Sequence, residues 1–199
     1  DIPHYFIDTT AAFKKLIIDK FRYEYSIGRT PNPCVDCNSL LKFDIVWDAI
    51  TENFGIKNLA TGHYAKIKRS LGKSYLCCAD DGKKDQCYFL YGIGVERLNH
   101  FYLPLGDITK SKVREIATQI DFPVADKPES MELCFAGEND YRTALNQDSA
   151  NAPGKLTDIQ GNLIGTHKGV SNYTIGQRRG LGHAGGEPLY VGKIDYKSN

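Results

Sequence analysis

Cysteine offers more chemistry than any other residue type in this chain, and two of the six, Cys34 and Cys37, stand in a C-x-x-C spacing within residues 28–42 (GRTPNPCVDCNSLLK). A thiolate is a strong nucleophile, a sulfur acceptor and a metal ligand. Pro31 and Pro33 stiffen the approach and keep Thr30 and Asn32 out of helical geometry. Asp36 is suited to cap a helix beginning there. Leu40, Leu41, Ile45, Val46, Ala49 and Ile50 then recur at helical spacing up to Phe54, and Gly55 is a stop signal. The pair is therefore expected at a helix N-terminus, where unpaired N–H groups and the helix dipole favour a thiolate and lower the pKa of Cys37. Spacing alone fits half a zinc site, a thioredoxin-like redox pair or two packed thiols. No second C-x-x-C completes a zinc site, and the double-proline lead differs from a usual redox motif.

Other stretches carry chemistry of their own. Residues 57–60 read as a buried strand running into Thr61-Gly62-His63-Tyr64. In parallel sheets ligands sit beyond the carboxyl ends of strands, which places Gly62 and His63 at a candidate site. A loop histidine with a structural hydrogen bond fits His63 equally well. The polar segment 80–86 (DDGKKDQ) holds Lys83, Lys84, Asp85 and Gln86, suited to phosphate or sugar contacts or simply to solvent. Cys134 stands alone between Leu133 and Phe135; it reads as a small core residue unless the fold brings it to the C-x-x-C pair. Its loop contains Gly137 and polar flanks, so mobility is expected there. Gln177-Arg178-Arg179-Gly180 is a compact basic loop, either a surface turn or a phosphate contact.

These segments need a frame. The 199 residues suffice for one large or two small domains, with the 41% hydrophobic and 25% charged content of a globular protein. No apolar run approaches the roughly 20 residues of a membrane span, and no membrane partner is expected. Residues 2–7 read as a strand in mid-protein rather than a signal peptide. Net charge is +1, which excludes a global nucleic-acid signature, yet residues 141–199 carry +3 against −2 for the rest. Adjacent Cys77 and Cys78 make an awkward disulfide framework, so a reducing cytoplasm is expected, with Cys77 and Cys78 as packing residues.

In order, the pattern predicts a strand at 2–7, a helix at 11–21, the cysteine helix, and the strand at 57–60. A hairpin follows, 65–69 with 74–79 around Leu71-Gly72-Lys73. Thr109 is positioned to cap a helix running to Ile120, with Val113, Ile116, Ala117 and Ile120 inward. Alternating strands and helices imply an α/β layer with a parallel sheet. From residue 141 glycine becomes dense, 10 of the 19 in all. Turn signals at Pro153-Gly154, Gly161-Asn162 and Gly185-Gly186 separate short strands at 155–157, 163–165 and 189–194, a small β-rich domain. The expected division is 1–140 and 141–199.

Six stretches in order resemble the tRNA-specific 2-thiouridylases: TPNPCVDCN at 30–38, ATGHYAKI at 60–67, KDQCYFL at 84–90, GDITKSKVREIA at 106–117, ELCFAGE at 132–138 and YTIGQRRGLG at 173–182. The resemblance covers nearly the whole chain. It implies part of an ATP-pyrophosphatase-type α/β domain followed by a small β-rich central domain. It also implies an enzyme that replaces the C2 oxygen of the wobble uridine of tRNA with sulfur. ATP, with Mg2+, adenylates that oxygen; sulfur arrives as a persulfide from a cysteine desulfurase or a sulfur-relay protein. By motif match Cys134 carries the persulfide and Cys37 is its partner nucleophile, the two ending in a disulfide. Asn32, Pro33 and Cys34 match the segment lining the target base, Gly62 a backbone contact to the nucleotide, and His63, Lys84, Asp85 and Gln86 positions that contact tRNA. Arg178 and Arg179 join them as basic candidates.

Two departures bear on this. The family's Ser-Gly-Gly-x-Asp-Ser phosphate loop is absent and belongs upstream of Asp1, while the C-terminal barrel belongs beyond Asn199. Position 34 is a cysteine where some members carry an acidic residue, so Cys34, Cys37 and Cys134 suffice to hold an iron–sulfur cluster with one open iron site. The competing functions are a tRNA-binding fragment without activity of its own, and a zinc- or cluster-stabilised structural domain.

Overall fold

The computed structural model describes residues 2–125, 133–136, 141–145, 152–182 and 188–199. The expected turn at Gly185-Gly186, and Gly137 of the Cys134 loop, lie outside them. The chain divides into two compact units, residues 1–16 with 34–131, and residues 17–33 with 132–199.

In the first unit the dominant element is one long helix. It is α-helical over Pro33–Asp36, π-helical over Cys37–Val46 and α-helical again over Trp47–Phe54. It starts earlier than the sequence pattern implies. Proline is best tolerated at the first helical position, where its missing N–H costs nothing, so Pro33 opens the helix and Asp36 is not its cap. The end falls where expected: Gly55 takes the left-handed conformation at φ 67° and stops it. Leu41, Phe43 and Trp47 are buried on its inner face. The Phe43 and Phe101 rings lie 4.7 Å apart and Trp47 and Phe101 5.7 Å. Burying each such ring contributes roughly 2–3 kcal/mol. On the outer face Asp44 and Asp48, one turn apart, both accept from Arg97 at 2.9 Å, and Arg97 in turn lies over the Trp47 ring.

Two strands, β1 (Leu59–Ala60) and β4 (Phe101–Tyr102), pair in parallel, with Leu59 opposite Phe101. Between them β2 (Ala65–Ser70) and β3 (Lys73–Cys78) form an antiparallel hairpin. Its two-residue turn puts Leu71 at φ 50° and Gly72 at φ 72°, the positive pair that a tight right-twisted hairpin requires. A 3₁₀ turn (Cys87–Leu90), a short helix (Val95–Leu98) and the helix Lys110–Gln119 complete this unit. Thr109 caps the last as predicted, accepting from the Lys112 N–H at 3.3 Å. Its apolar side is not inward as expected: Val113 and Ala117 are half-buried, but Ile116 and Ile120 are exposed.

Residues 2–7 do not form the predicted strand. A strand needs a neighbour to take its N–H and C=O groups, and no strand among the described residues pairs with them. Tyr5 packs on Phe54 instead, with ring centroids 4.4 Å apart.

The first helix runs beyond its predicted end, through α-helical Thr10–Phe13, π-helical Lys14–Asp19 and α-helical Lys20–Ser26. In the second unit its Phe21 and Tyr25 pack with Phe135 and Tyr141, and the Arg22 Nε donates to the Ala144 carbonyl at 2.7 Å. The strands β5 (Gly154–Thr157) and β6 (Leu163–His167) pair antiparallel with an irregularity at Leu156/Thr157. Asp158 closes their loop by accepting from the N–H groups of Gln160 and Asn162. The segment 189–194 is not the strand expected. Among the described residues its backbone hydrogen bonds are the exchange of Val191 with residues 176 and 177, at 2.8 and 3.0 Å.

Candidate functional site

Three of the segments singled out above converge in the first unit. The Tyr64 N–H donates to the Gln86 Oε1 at 2.9 Å, and the Gln86 N–H donates back to the Tyr64 carbonyl at 2.7 Å. The loop after β1 and the loop 79–86 are thereby locked together. The Asn38 Nδ2 donates to the Phe89 carbonyl at 3.1 Å, tying the cysteine helix to the same segment. Asn38 is 3% exposed and its Oδ1 is buried with no hydrogen-bond partner among the described residues. The sequence marks Asn38 only as the last residue of the TPNPCVDCN stretch, directly after Cys37.

On the helix, Cys34 is exposed and Cys37 half-buried. Pro33 opens the helix, so of the pair expected at its N-terminus Cys34 stands nearer the end. Cys37 lies a turn further in, where the π-helical stretch begins. In the preceding segment Asn32 is exposed and Pro33 buried.

Gly62 is exposed, its backbone is not left-handed, and a Cβ there would meet only the Leu105 Cδ1 at 3.6 Å. The fold itself therefore does not require glycine at this position. His63 shares a 2.9 Å hydrogen bond between its Nδ1 and the Thr61 hydroxyl, and its ring lies 5.7 Å from that of Phe43. Burial, and secondly the charge of Lys42, push its pKa down to about 4, so the imidazole is neutral at pH 7.

The 79–86 loop is braced internally. Asp81 accepts from the N–H groups of Lys83 and Lys110, fixing the start of the helix Lys110–Gln119. Lys66 pairs with Asp80 and Asp107. The Asp85 Oδ1 accepts from the Ala79 N–H at 2.7 Å and its Oδ2 from the Cys87 thiol at 2.8 Å. Asp85 thus faces inward. Cys78 is not the packing residue expected: it is exposed and its Sγ lies 3.3 Å from that of Cys87. Burial, then the Asp85 carboxylate, push the Cys87 thiol up to about 12. Lys84 lines a shallow basic recess with Lys110, Ser111 and Arg114. The last three were not anticipated, although Lys110 and Arg114 at i, i+4 share one helix face.

In the second unit Cys134 is exposed, in a turn where the Ala136 N–H donates to the Leu133 carbonyl. A packed core role does not hold for it. Arg178 and Arg179 are exposed on a loop shaped by Gln177, whose side chain accepts from the Thr174 N–H and donates to the Arg179 carbonyl. No described helix is long and apolar enough to cross a membrane.

Two family models match the chain. The tRNA methyl transferase HUP domain covers residues 1–138 and the tRNA methyl transferase PRC-barrel domain residues 142–199. The chain is 48% identical over 199 residues to the tRNA-specific 2-thiouridylase MnmA 1 of Syntrophus aciditrophicus, covering all of this chain and 53% of that protein. It is 43% identical over 201 residues to the tRNA-specific 2-thiouridylase MnmA of Clostridium beijerinckii, covering 100% and 56%. With the protein of that name in Afipia carboxidovorans it shares 41% over 201 residues, covering 99% and 51%. The chain thus spans about half the length of the curated relatives it matches.

Proposed function

Because the chain belongs to the tRNA-specific 2-thiouridylase family, we propose that it carries the sulfur-handling part of an enzyme that thiolates C2 of the wobble uridine in tRNA, in a reducing cytoplasm. The observation that carries this reading is the convergence of the C-x-x-C helix, the Gly62-His63 loop and the Lys84–Gln86 loop in one unit through Asn38, Tyr64 and Gln86. The family models are described by methyl transfer. The thiol pair on the helix beside that junction favours sulfur chemistry. We take residues 1–140 as the remainder of the nucleotide-binding domain and 141–199 as the central domain.

The uridine C2 oxygen attacks the α-phosphorus of ATP and pyrophosphate leaves; Mg2+ would offset the charge of the phosphates. Gly62, where no side chain stands between backbone and ligand, contacts the nucleotide. Cys134 brings a persulfide charged by a cysteine desulfurase or a relay protein. Its terminal sulfur attacks C2 and AMP leaves with the oxygen. The Cys37 thiolate then attacks the Cys134 sulfur, breaking the S–S bond. The product thiocarbonyl is released and Cys37 and Cys134 are left as a disulfide, which external thiol reduces. Asn32, Pro33 and Cys34 line the flipped base. A base presented on a loop is the usual target of sequence-specific RNA recognition. Neutral His63, Lys84 and Gln86 meet the RNA with Arg178 and Arg179, while Asp85 holds its loop in shape.

A second reading follows from Cys34 standing beside Cys37 on the helix. With Cys134 these thiols have the donor chemistry for an iron–sulfur cluster with one open iron site, which would supply a landing place for sulfide.

The test is the full-length protein incubated with tRNA, ATP-Mg2+ and a persulfide donor, with nucleosides analysed by mass spectrometry. ATP-dependent appearance of 2-thiouridine, lost in Cys37→Ser and in Cys134→Ser, is expected. Retained thiolation in either variant overturns the assignment. Tight tRNA binding with no thiolation would favour the binding-fragment reading.

A further inference from the structure

We propose that Cys78, Asp85 and Cys87 form a binding site for a thiophilic divalent cation of the zinc class, separate from the thiols at positions 34, 37 and 134. The three residues come from one short stretch. Cys78 is the last residue of β3, Cys87 the first of the 3₁₀ turn, and Asp85 lies in the loop between them.

Their donor atoms converge. The two Sγ atoms are 3.3 Å apart, the Asp85 Oδ2 is 2.8 Å from the Cys87 Sγ, and all three donor atoms lie within 4.8 Å of one another. Around a tetrahedral zinc, with sulfur at about 2.3 Å and oxygen at about 2.0 Å, such atoms stand about 3.5–3.8 Å apart. Opening the S–S edge by about 0.5 Å and the edge between the Cys87 Sγ and the Asp85 Oδ2 by about 0.7 Å makes room for the ion.

The surroundings favour a ligand role. The Asp85 carboxylate is already oriented, because its Oδ1 accepts from the Ala79 N–H at 2.7 Å and this aims Oδ2 at the thiols. Metal-binding carboxylates are held in this way by neighbouring donors. Cys78 is exposed, so an ion has an open path and a water completes the fourth position. Cys77 does not compete, since successive strand residues face opposite ways and its thiol turns to the Tyr75 carbonyl at 3.7 Å. Binding releases the two thiol protons to solvent, and the ion holds two thiolates and one carboxylate without any change of oxidation state. The consequence is a closed 78–87 loop, with Lys84 and Gln86 held on either side of a ligand residue.

The experiment uses the reduced, chelator-treated protein titrated with Co2+ alone, then with Zn2+. One equivalent of cobalt should give thiolate-to-cobalt charge-transfer absorption that zinc abolishes. Cys78→Ser and Cys87→Ser should each remove the band, and Asp85→Asn should weaken binding at least tenfold. A Cys34→Ser/Cys37→Ser/Cys134→Ser variant should keep it. The unmodified protein gives a second reading that needs no variant: zinc should slow alkylation of Cys78 and Cys87 at least tenfold, mapped by peptide mass. A band that survives Cys87→Ser, no band at all, or zinc protection confined to Cys34, Cys37 or Cys134 overturns the site.

Discussion

Tyr64 and Gln86 hold each other through two hydrogen bonds, one from each backbone N–H, at 2.9 and 2.7 Å. One acceptor is the Gln86 side chain, so this residue both shapes its own loop and satisfies the buried start of β2. Gln86→Ala leaves the Tyr64 N–H without its acceptor and should cost about 1–2 kcal/mol of stability. Gln86→Glu keeps an oxygen there and should recover most of that loss. Urea unfolding of the two variants decides it; equal stability of Gln86→Ala and the parent would remove the buckle role.

His63 sets a pH dependence whose direction is fixed. Burial holds its folded pKa at about 4, while the unfolded chain titrates near the ordinary 6.5. Between those values the unfolded chain binds the extra proton, so stability is level above about pH 6.5 and falls as pH drops towards 4. The undiscounted shift is worth about 2 kcal/mol at pH 5; the partly exposed ring reduces this to about 1 kcal/mol. The parent should lose about 1 kcal/mol more than His63→Gln between pH 7.5 and 5, read from denaturant midpoints. Parallel losses would show that the ring is not the group responsible.

Gly62→Ala separates fold from function. A methyl there meets only Leu105 at an ordinary 3.6 Å and the backbone is not left-handed, so stability should change by no more than about 0.5 kcal/mol. If the nucleotide approaches the backbone at this point, the same methyl should weaken ATP binding at least tenfold. Calorimetric titration of ATP into the full-length parent and variant checks this, and an unchanged affinity takes Gly62 out of the site.

How far these features were legible in the sequence follows from where each signal resides. The hairpin of β2 and β3, the Gly55 stop and the Thr109 cap are set by a few adjacent residues, and local chemistry was enough to place them. Most of the failures are non-local. Residues 2–7 and 189–194 have strand composition, but a strand exists only where a neighbour takes its hydrogen bonds. Ile116 and Ile120 fall on a helical stripe, yet exposure depends on what packs against it. Asp36 resembles a cap and suggests a helix start there, yet Pro33, three residues earlier, is the better first residue. The tie of Asn38 to Phe89 spans 51 positions of chain and that of Tyr64 to Gln86 spans 22, and neither has a periodic signature.

Lys84, Lys110 and Arg114 line one recess with Ser111, and this makes a salt-dependence prediction. A side chain that neutralises a phosphate contributes about one counterion to the slope of log affinity against log salt, somewhat less on a single strand. Lys84→Ala and Arg114→Ala should each lower the tRNA-binding slope by about 0.7–0.9. Lys112→Ala, on the same helix but paired with Glu115 at 2.7 Å, should leave it unchanged. Filter binding across a salt series measures all three; equal slopes for Lys84→Ala and the parent would place the recess off the RNA path.

Cys37 and Cys134 belong to different units of the chain, and their proposed cooperation predicts a stoichiometry. Sulfur delivered from a Cys134 persulfide leaves the protein short of two electrons, and the only place for that deficit in the proposed scheme is a Cys37–Cys134 disulfide. In a single turnover of persulfide-loaded, full-length protein without added thiol, one such disulfide should appear for each 2-thiouridine made. Cys34→Ser should keep both products, because a thiol that lines the base is not part of the electron balance. Non-reducing peptide maps and nucleoside mass spectrometry of the same anaerobic sample give the two numbers. Thiolation without the disulfide, accompanied by bound iron and lost in Cys34→Asp, would replace the persulfide scheme with the cluster held by Cys34, Cys37 and Cys134.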